Sequence, residues 1–414
     1  MKGRAIVRGI IGGVVLCGLL VWSSHIPALP QASSVPTVQV DEEQTVKGKW
    51  VATVNRLDYP SAADLSAEQL RQEIDTLMAD AKAWGMNTVV FQVRPACDAL
   101  YDSELFPISS AISTSGALPD GLDVLAYAVE AAHGQGLALH AWINPLRVTT
   151  GTADAPHHDL SVLPQNSPAR EHPEWVVAYA DGRMYLDPGH PEVRQLVVDG
   201  VREIVDRYAV DGIHFDDYFY PYPTDGVAFD DVQTYAQYGD GLSLEDWRRQ
   251  NINELVGQVH EVTEQKGIVF GVSPFAVWQN EASDAMGSAT TAGIETYSDL
   301  YADTRLWVKQ EMVDYLCPQI YWSFEQEPAP YDTVFDWWAD CVADTAVSLW
   351  VGHAFYKQGT DQAGWDDVKQ TARQIAYAAQ SEAYGGSLIF RYRTLRENTD
   401  GARDALLEEW LKNS

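Results

Sequence analysis

Eight short apolar runs alternate along this chain with longer stretches in which apolar residues recur every three or four positions. The runs cover residues 50–55, 88–95, 138–145, 212–218, 269–275, 315–322, 346–356 and 386–391. Among the longer stretches, the one that begins at Ser66 places Leu70, Ile74 and Leu77 on one helical face. Strands that alternate with helices indicate parallel βα units. Eight units favour an α/β fold of the (β/α)8 TIM barrel type, formed as a single domain by residues 48–414.

The connections between these elements are unequal in length. Links from a helix to the next strand are short, whereas links from a strand to the next helix extend over residues 146–190, 219–243 and 276–298. The long links all follow the carboxyl ends of the strands, which is the face where barrel enzymes carry their chemistry. We therefore expect the functional site at that face.

Charge and composition narrow the class of ligand. The chain of 414 residues has a formal net charge of −31, which repels phosphate backbones, so we expect no nucleic acid partner. The 14 Trp and 20 Tyr suit binding of neutral sugars through ring faces, although most rings of a large core are structural. The four cysteines show neither a disulfide framework nor metal-ligand spacing.

The first thirty residues differ from the rest of the chain. Lys2, Arg4 and Arg8 precede an apolar stretch at 9–22, which predicts a signal peptide or an N-terminal membrane anchor in residues 1–30. Residues 31–47 have the composition of a linker. The body is then exported, either extracellular or anchored to the outer side of the cytoplasmic membrane, with membrane contact only through the N-terminal segment. We expect it to be a monomer.

The fourth run has the most informative chemistry. Alternation along a strand directs His214, Asp216 and Tyr218 towards the barrel axis, and Ile213 and Phe215 towards the helices. Asp217 points the opposite way unless the strand has already ended, so it reads as an organising residue. Glycoside cleavage usually needs two carboxylates roughly 5–10 Å apart, and the partner of Asp216 is then expected elsewhere. The candidates are Asp98, Asp187, Asp303, Glu325 and Asp332.

The other strand ends supply hydrogen-bonding groups and rings for one cleft. Trp142, Tyr218, Tyr321 and Trp322 are expected to form a sugar platform. The polar residues expected to contact substrate are Arg94, Asp98, His140, Asn144, Arg147, His214, Asn280, Gln319 and Lys357.

A metal site is the competing interpretation of the histidines. No two of His133, His157, His158 and His172 share a strand end with a carboxylate at ligand spacing. His140, His214 and His353 would converge on the axis and are the better case for a metal. Hydrogen bonding explains that trio more simply, so we expect no metal and no other cofactor. No nucleophile elbow and no phosphate-binding glycine loop is present in the sequence.

Seven segments in order resemble the glycosyl-hydrolase-like family 10 of exported bacterial barrel proteins. The most specific reads Val210-Asp-Gly-Ile-His-Phe-Asp-Asp-Tyr-Phe-Tyr-Pro221. The others lie at 91–95 with Asp98, 140–147, 185–194, 270–275, 301–305 and 318–322. The resemblance implies a barrel glycosidase acting on a cell-envelope or extracellular glycan, with peptidoglycan strands as the expected substrate. Residues 390–393 and Leu146 depart from the family pattern and affect the subsites.

Three functions remain open from the sequence. The first is a glycoside hydrolase in which Asp216 is an acid/base or the nucleophile and Asp217 assists it. The second is a non-catalytic glycan-binding or scaffold barrel at the cell envelope, because a fold does not guarantee catalysis. The third is a metal-dependent deacetylase, for which the histidines are the only support.

Overall fold

The computed structural model describes residues 44–412. The predicted leader and most of the predicted linker lie outside these residues. No helix within 44–412 is long and apolar enough to cross a membrane.

Eight parallel strands close into a barrel, which confirms the predicted fold. They are β1 (Val46–Val51), β2 (Thr88–Arg94), β3 (Ala138–Ile143), β6 (Gly212–Phe215), β7 (Val269–Val272), β8 (Tyr315–Leu316), β9 (Ser348–Ala354) and β10 (Tyr384–Phe390). Their order around the barrel is β1-β10-β9-β8-β7-β6-β3-β2, and β1 closes the circle by pairing with both β2 and β10. The remaining two strands, β4 (Val176–Ala178) and β5 (Met184–Leu186), form an antiparallel hairpin.

Helices lie between and after the barrel strands. They are α1 (Ala67–Ala83), α2 (Val124–Gly134), α3 (Pro168–Glu171), α4 (Pro191–Arg207), α5 (Val232–Tyr238), α6 (Leu244–Glu264), α7 (Thr304–Lys309), α8 (Tyr331–Val342), α9 (Gln370–Ala378), α10 (Tyr392–Glu397) and α11 (Ala402–Lys412). The longer ones, such as α1, α4 and α6, pack on the outer faces of the strands. The predicted start at Ser66 is confirmed by a capping box with Gln69. Pro191 occupies the first turn of α4, where its missing N–H costs no hydrogen bond.

Side chains alternate between a large outer core and a smaller inner one. Ile213 and Phe215 belong to the outer core between strands and helices, as predicted. The inner core holds Trp50, Trp142 and Tyr315, together with other residues on the inward faces of the strands. Glycines make room for these rings, since a Cβ on Gly271 would lie 2.0 Å from the Tyr315 ring.

All eight barrel strands end earlier than the sequence predicts. β1, β6, β7 and β8 do so by three residues or more, and β1 ends at Val51 rather than at 55. β6 ends at Phe215 rather than at 218, β7 at Val272 and β8 at Leu316. Pro274 and Pro318 follow the last two, and proline removes the N–H that a ladder needs. The early end of β6 leaves Asp216 and Asp217 in the connection beyond the strand, where strict alternation no longer applies.

The longest connection, between β3 and α4, contains structure that the sequence pattern did not indicate. The hairpin of β4 and β5 lies within it, and Gly182 is at its turn with a φ of 86°. A Cβ at Gly182 would lie 1.9 Å from the carbonyl oxygen of Thr152, so the loop packs tightly there. This packing holds Arg183, which follows the turn, at the barrel mouth.

Candidate active site

Asp216 is held by donors from the neighbouring strand β3 and from its own loop. Its Oδ2 accepts hydrogen bonds from Trp142 Nε1 (3.1 Å) and Asn144 Nδ2 (2.9 Å). Its Oδ1 accepts from Asn144 Nδ2 (3.1 Å) and from the N–H of Tyr218 (3.2 Å). The Arg147 guanidinium lies 3.9 Å from Oδ2, and only 5% of the Asp216 side chain is exposed. Asp216 is therefore a buried carboxylate whose position is set mainly by β3.

Asp217 is held by a residue that follows β8, on the side of β6 away from β3, and by a residue of its own loop. Gln319, which follows β8, donates from Nε2 to Oδ1 of Asp217 at 3.0 Å and to the carbonyl of Ser273 at 2.8 Å. The hydroxyl of Tyr222 donates to Oδ2 of Asp217. Asp217 thus reaches into the barrel mouth beside Asp216, because β6 has already ended, which is the exception that the sequence left open.

A cavity of about 300 Å³ opens at the carboxyl ends of the strands and contains both carboxylates. It is lined by Trp50, Val54, Asn55, Leu57, Gln92, Trp142, Arg147, Thr150, Arg183, Asp216, Asp217, Tyr218, Ser273, Gln319, Tyr321 and Phe390. The cavity lies at the face that the long connections predicted, and its volume is at the lower end of the range for small-ligand pockets.

The walls of the cavity differ in character. Tyr321 and Phe390 form an aromatic wall with near-parallel rings whose centroids are 6.2 Å apart. On another side, the Arg147 guanidinium lies 4.3 Å from the ring centroid of Tyr218, and that of Arg183 lies 6.0 Å from it. One wall therefore suits the face of a sugar ring, and the other suits an anionic substituent.

Burial dominates the electrostatics of the carboxylate pair. Loss of hydration raises the pKa of both Asp216 and Asp217. The charge of Asp217 raises the pKa of Asp216 further, and the Arg147 cation opposes the rise in both. Two buried carboxylates that repel each other favour a state with a single proton between them.

Beneath the cavity lies a neutral hydrogen-bonded floor, made of Trp50, His140, His214 and Tyr315. Trp50 Nε1 is an obligate donor to His214 Nε2 (3.1 Å), so His214 carries its proton on Nδ1 and donates it to the Tyr315 oxygen (2.9 Å). The Tyr315 hydroxyl in turn donates to His140 Nδ1 (2.9 Å). Burial lowers the pKa of His140 to about 3 and that of His214 well below its usual value.

Two residues that the sequence predicted as substrate contacts, His140 and His214, belong to this floor. His140 and His214 face the axis as expected, but neither lines the cavity, and the Nδ1 atom of each bonds to the Tyr315 hydroxyl. They lie one layer too deep to touch a ligand. His214 does reach the site indirectly, because its Nε2 lies 2.8 Å from the hydroxyl of Ser273, which lines the cavity.

The histidine trio that favoured a metal does not assemble. His353 lies on the outer face of β9, with Nδ1 3.1 Å from Gln374 Oε1 and Nε2 2.9 Å from Ser387 Oγ. Burial lowers its pKa to about 4. Within residues 44–412, no three His, Cys, Asp or Glu side chains are close enough to share a metal ion.

Arg94 and Asp98, both predicted to contact substrate, lie outside the cavity. The pairing of β2 with β3 shifts register between Gln92 and Arg94, which ends the inward series at Gln92. The Arg94 guanidinium instead lies 3.6 Å from the centroid of the Phe106 ring and packs against α4 at Gly200. Asp98 accepts hydrogen bonds from the Ala96 N–H and from Ser109, and burial raises its pKa.

Asn280, Trp322 and Lys357 also lie away from the cavity. Asn280 organises the connection after β7, donating to Glu295 Oε1 (2.6 Å) and to the Ala292 carbonyl (3.0 Å). Trp322 packs edge-on against Phe275, with ring centroids 5.4 Å apart. Lys357 donates to the carbonyl of Tyr321 at 2.7 Å, so it supports a cavity residue without lining the cavity itself.

None of the five candidates for a second carboxylate lines the cavity. Asp98 is bonded as described above, Asp187 accepts from Thr234 and Gly189, Asp303 caps α7, Glu325 pairs with Arg373, and Asp332 lies in the first turn of α8. Each has a local structural partner or position. Among the described residues, Asp216 and Asp217 are the only carboxylates in the lining.

Sequence reasoning missed several residues of the lining. Gln92 lies at an inward position of β2 and accepts hydrogen bonds from the N–H groups of Thr53 and Val54. Ser273 follows β7 directly. Val90 and Gly271 face the barrel axis, so counting every second residue from them predicts that Gln92 and Ser273 also face inward. Arg183 comes from the hairpin connection, and no periodic signal indicates its position.

Comparison with known proteins identifies relatives over most of the chain. A family model described as glycosyl hydrolase-like 10 matches residues 45–367. Glycosyl hydrolase YngK of Bacillus subtilis (strain 168) is 39% identical over 408 residues, which cover 97% of this chain and 76% of that protein. Glycosyl hydrolase DigH of Escherichia coli (strain K12) is 36% identical over 401 residues, covering 92% and 91%.

A solved structure with a similar fold is that of the PgaB (BpsB) glycoside hydrolase domain from Bordetella bronchiseptica. The TM-score is 0.54 at 14% sequence identity, and the match covers 87% of this chain and 98% of that one. At this identity the similarity concerns the fold alone.

Proposed function

The chain belongs to the glycosyl hydrolase-like 10 family, and we propose from this that it hydrolyses glycosidic bonds by acid/base catalysis with Asp216 and Asp217. The proposed substrate is an envelope or extracellular glycan, with peptidoglycan strands as the best fit. The protein would act after export, in the extracellular space or on the outer side of the cytoplasmic membrane.

The observation that carries the proposal is the pair of buried carboxylates in one cavity at the barrel mouth. Glycoside hydrolysis needs a carboxyl group that still holds a proton near neutral pH, to protonate the leaving oxygen. Burial and mutual repulsion raise the pKa of such a group, and both act here. The neighbouring Tyr321 and Phe390 rings offer an apolar face for the sugar.

The cationic wall supports an anionic sugar. Arg147 and Arg183 both face the cavity, although the chain as a whole has a net charge of −31. In peptidoglycan strands that have lost their peptides, the lactyl group ends in a free carboxylate, which a guanidinium binds well. A peptide converts that carboxylate into an amide. We therefore expect faster cleavage of stripped strands than of peptide-bearing ones.

Incubation of the purified protein with peptide-stripped and intact peptidoglycan tests the proposal. New reducing ends and shorter fragments, identified by mass spectrometry, are the expected result. Asp225→Asn provides a matched control, because Asp225 is an exposed carboxylate in the same connection after β6. Binding of strands without new reducing ends would support a glycan-binding scaffold instead, and would contradict hydrolysis.

A further inference from the structure

The catalytic nucleophile is the unassigned part of the site. A glycosidase needs an acid beside the leaving oxygen and a nucleophile or activated water on the other face of the sugar. Within residues 44–412, the lining of the cavity holds only Asp216 and Asp217 as carboxylates, and they are adjacent in the chain. Their hydrogen bonds show which role is open to each.

Asp216 has no free lone pair with which to attack. A carboxylate has about four acceptor positions, and Asp216 accepts four hydrogen bonds from Trp142, Asn144 and the Tyr218 N–H. Each of these groups can only donate. A proton on Asp216 would therefore face a donor, so the hydrogen bonds favour its ionised form. Asp216 acts as a fixed negative charge in the lining of the cavity.

Asp217 accepts fewer hydrogen bonds than Asp216 and is better placed to carry the proton of the pair. It accepts one bond on each oxygen, from Gln319 and from the hydroxyl of Tyr222. A hydroxyl both donates and accepts, so Tyr222 can turn and accept when Asp217 Oδ2 is protonated. The single proton of the pair then belongs on Asp217, which makes it the group able to protonate a leaving oxygen.

The other lining residues offer no nucleophile. The hydroxyl of Ser273 lies 2.8 Å from His214 Nε2, in the arrangement of a nucleophile and its base. However, burial lowers the pKa of His214 far below its usual value, so His214 does not take up a proton. Burial likewise raises the pKa of Tyr218 and Tyr321, which keeps both phenols neutral.

We propose, on the premise that the protein is a glycosidase, that the 2-acetamido group of the substrate is the nucleophile, that Asp217 is the acid, and that ionised Asp216 stabilises the cation formed. The substrate class is accordingly a glycan with a 2-acetamido sugar on the non-reducing side of the cleaved bond. Both sugars of peptidoglycan satisfy this requirement.

The steps balance without a further reactant. The acetamido carbonyl oxygen bonds to the anomeric carbon while the bond to the leaving oxygen breaks, and that oxygen takes the proton of Asp217. The product is a cyclic oxazolinium cation beside the negative Asp216. Water then adds to the anomeric carbon from the vacated face and gives a proton to Asp217, and the ring opens. The acetamido group is regenerated and the anomeric configuration is retained.

Substrate chemistry tests this proposal on the unaltered protein. Peptidoglycan strands are N-deacetylated and then re-acylated with acetyl, fluoroacetyl, difluoroacetyl or trifluoroacetyl groups, all neutral and of similar size. Fluorine withdraws electrons from the carbonyl oxygen, so kcat is expected to fall at each step, by roughly a thousandfold or more over the series, because the positioned nucleophile is weakened. KM is expected to change little.

The possible outcomes separate the two proposals. Cleavage of all four strands with the same kcat would overturn the acetamido nucleophile and leave the glycosidase function intact. Inversion of the anomeric configuration would do the same. Absence of cleavage of the strand re-acylated with acetyl would overturn both proposals. Retention, together with a falling kcat, would support the assignment.

Discussion

The floor and the mouth of the barrel are both polar and buried, yet they differ in chemistry. The floor shares neutral hydrogen bonds among Trp50, His140, His214 and Tyr315. The mouth brings together two carboxylates and two guanidiniums around a cavity. The two layers are connected by the contact of His214 with Ser273. Inward polar residues therefore have two uses in this barrel. Those deep in the strands, such as His140 and His214, fill its interior. Those near or beyond the strand ends, such as Gln92 and Gln319, line the cavity and can meet a ligand.

Asp217→Asn is expected to have the largest effect, and it acts at the mouth. Loss of the acid should lower kcat on glycan strands by roughly 10²–10⁴-fold. Folding should be preserved, because Tyr222 can reorient towards the new amide. Reducing-end assays and thermal unfolding measure the two effects, with Asp225→Asn as the control. If Asp217→Asn kept the wild-type kcat, the mouth would not differ from the floor in its contribution to catalysis.

Tyr315→Phe acts on the floor and should give the opposite result. The change leaves His140 Nδ1 and His214 Nδ1 without their shared hydroxyl. An unsatisfied buried polar group costs about 1–3 kcal/mol, so the free energy of unfolding should fall by at least that amount. Urea unfolding measures the loss. We expect kcat of the folded protein to stay within about twofold of wild type, since the hydroxyl touches no ligand. A fall in kcat as large as that of Asp217→Asn would show that the floor takes part in the chemistry.

Arg183→Met tests the cationic wall of the mouth. Loss of one charge-assisted hydrogen bond should raise KM for stripped peptidoglycan by roughly 5–10-fold, equivalent to about 1–1.4 kcal/mol. A neutral N-acetylglucosamine oligomer should be unaffected. The comparison is made at low and high salt, because screening weakens the wild-type advantage. Arg202→Met in the exposed face of α4 is the control, and an equal rise in KM for both oligomers would argue against recognition of an anionic group.

The pH dependence of stability gives the smallest effect. The pKa of Asp217 is raised by burial, so folding favours its protonated form. This contribution is complete below the unfolded pKa of about 3.9 and is lost as the pH rises through the folded pKa. Asp217→Asn should therefore be more stable than wild type near neutral pH, and the difference should vanish in acid. Melting temperatures from pH 4 to pH 8 measure it, and a variant that is less stable near neutrality would contradict the sign.

The fold could be predicted from the sequence because strands and helices produce a periodic pattern of apolar residues. Eight apolar runs and the helix start at Ser66 follow local rules, and the structure confirms them. The inward direction of His214 follows from the same alternation. His353 does not face the barrel axis as expected. Trp350 faces inward from β9, and His353 lies three positions further along the strand, so alternation directs His353 outward.

The candidate site was less accessible because it lies where periodicity stops. The end of β6 at Phe215 brings Asp217 into the cavity, and a register shift in β2 removes Arg94 from it. Arg183 arrives through a hairpin inside a long connection. Strand ends, bulges and loop packing depend on contacts between distant segments. A single sequence does not display those contacts.

Hydrolysis in water enriched with ¹⁸O tests whether the protein cleaves glycan strands with water and with Asp217 as the acid. Wild-type protein and Asp217→Asn are incubated with peptide-stripped peptidoglycan, and the fragments are analysed by mass spectrometry. We expect wild type to produce fragments with one heavy oxygen at each new reducing end, and Asp217→Asn to bind the strands but to produce almost none. Unlabelled ends, or equal labelled fragments from both proteins, would contradict this expectation.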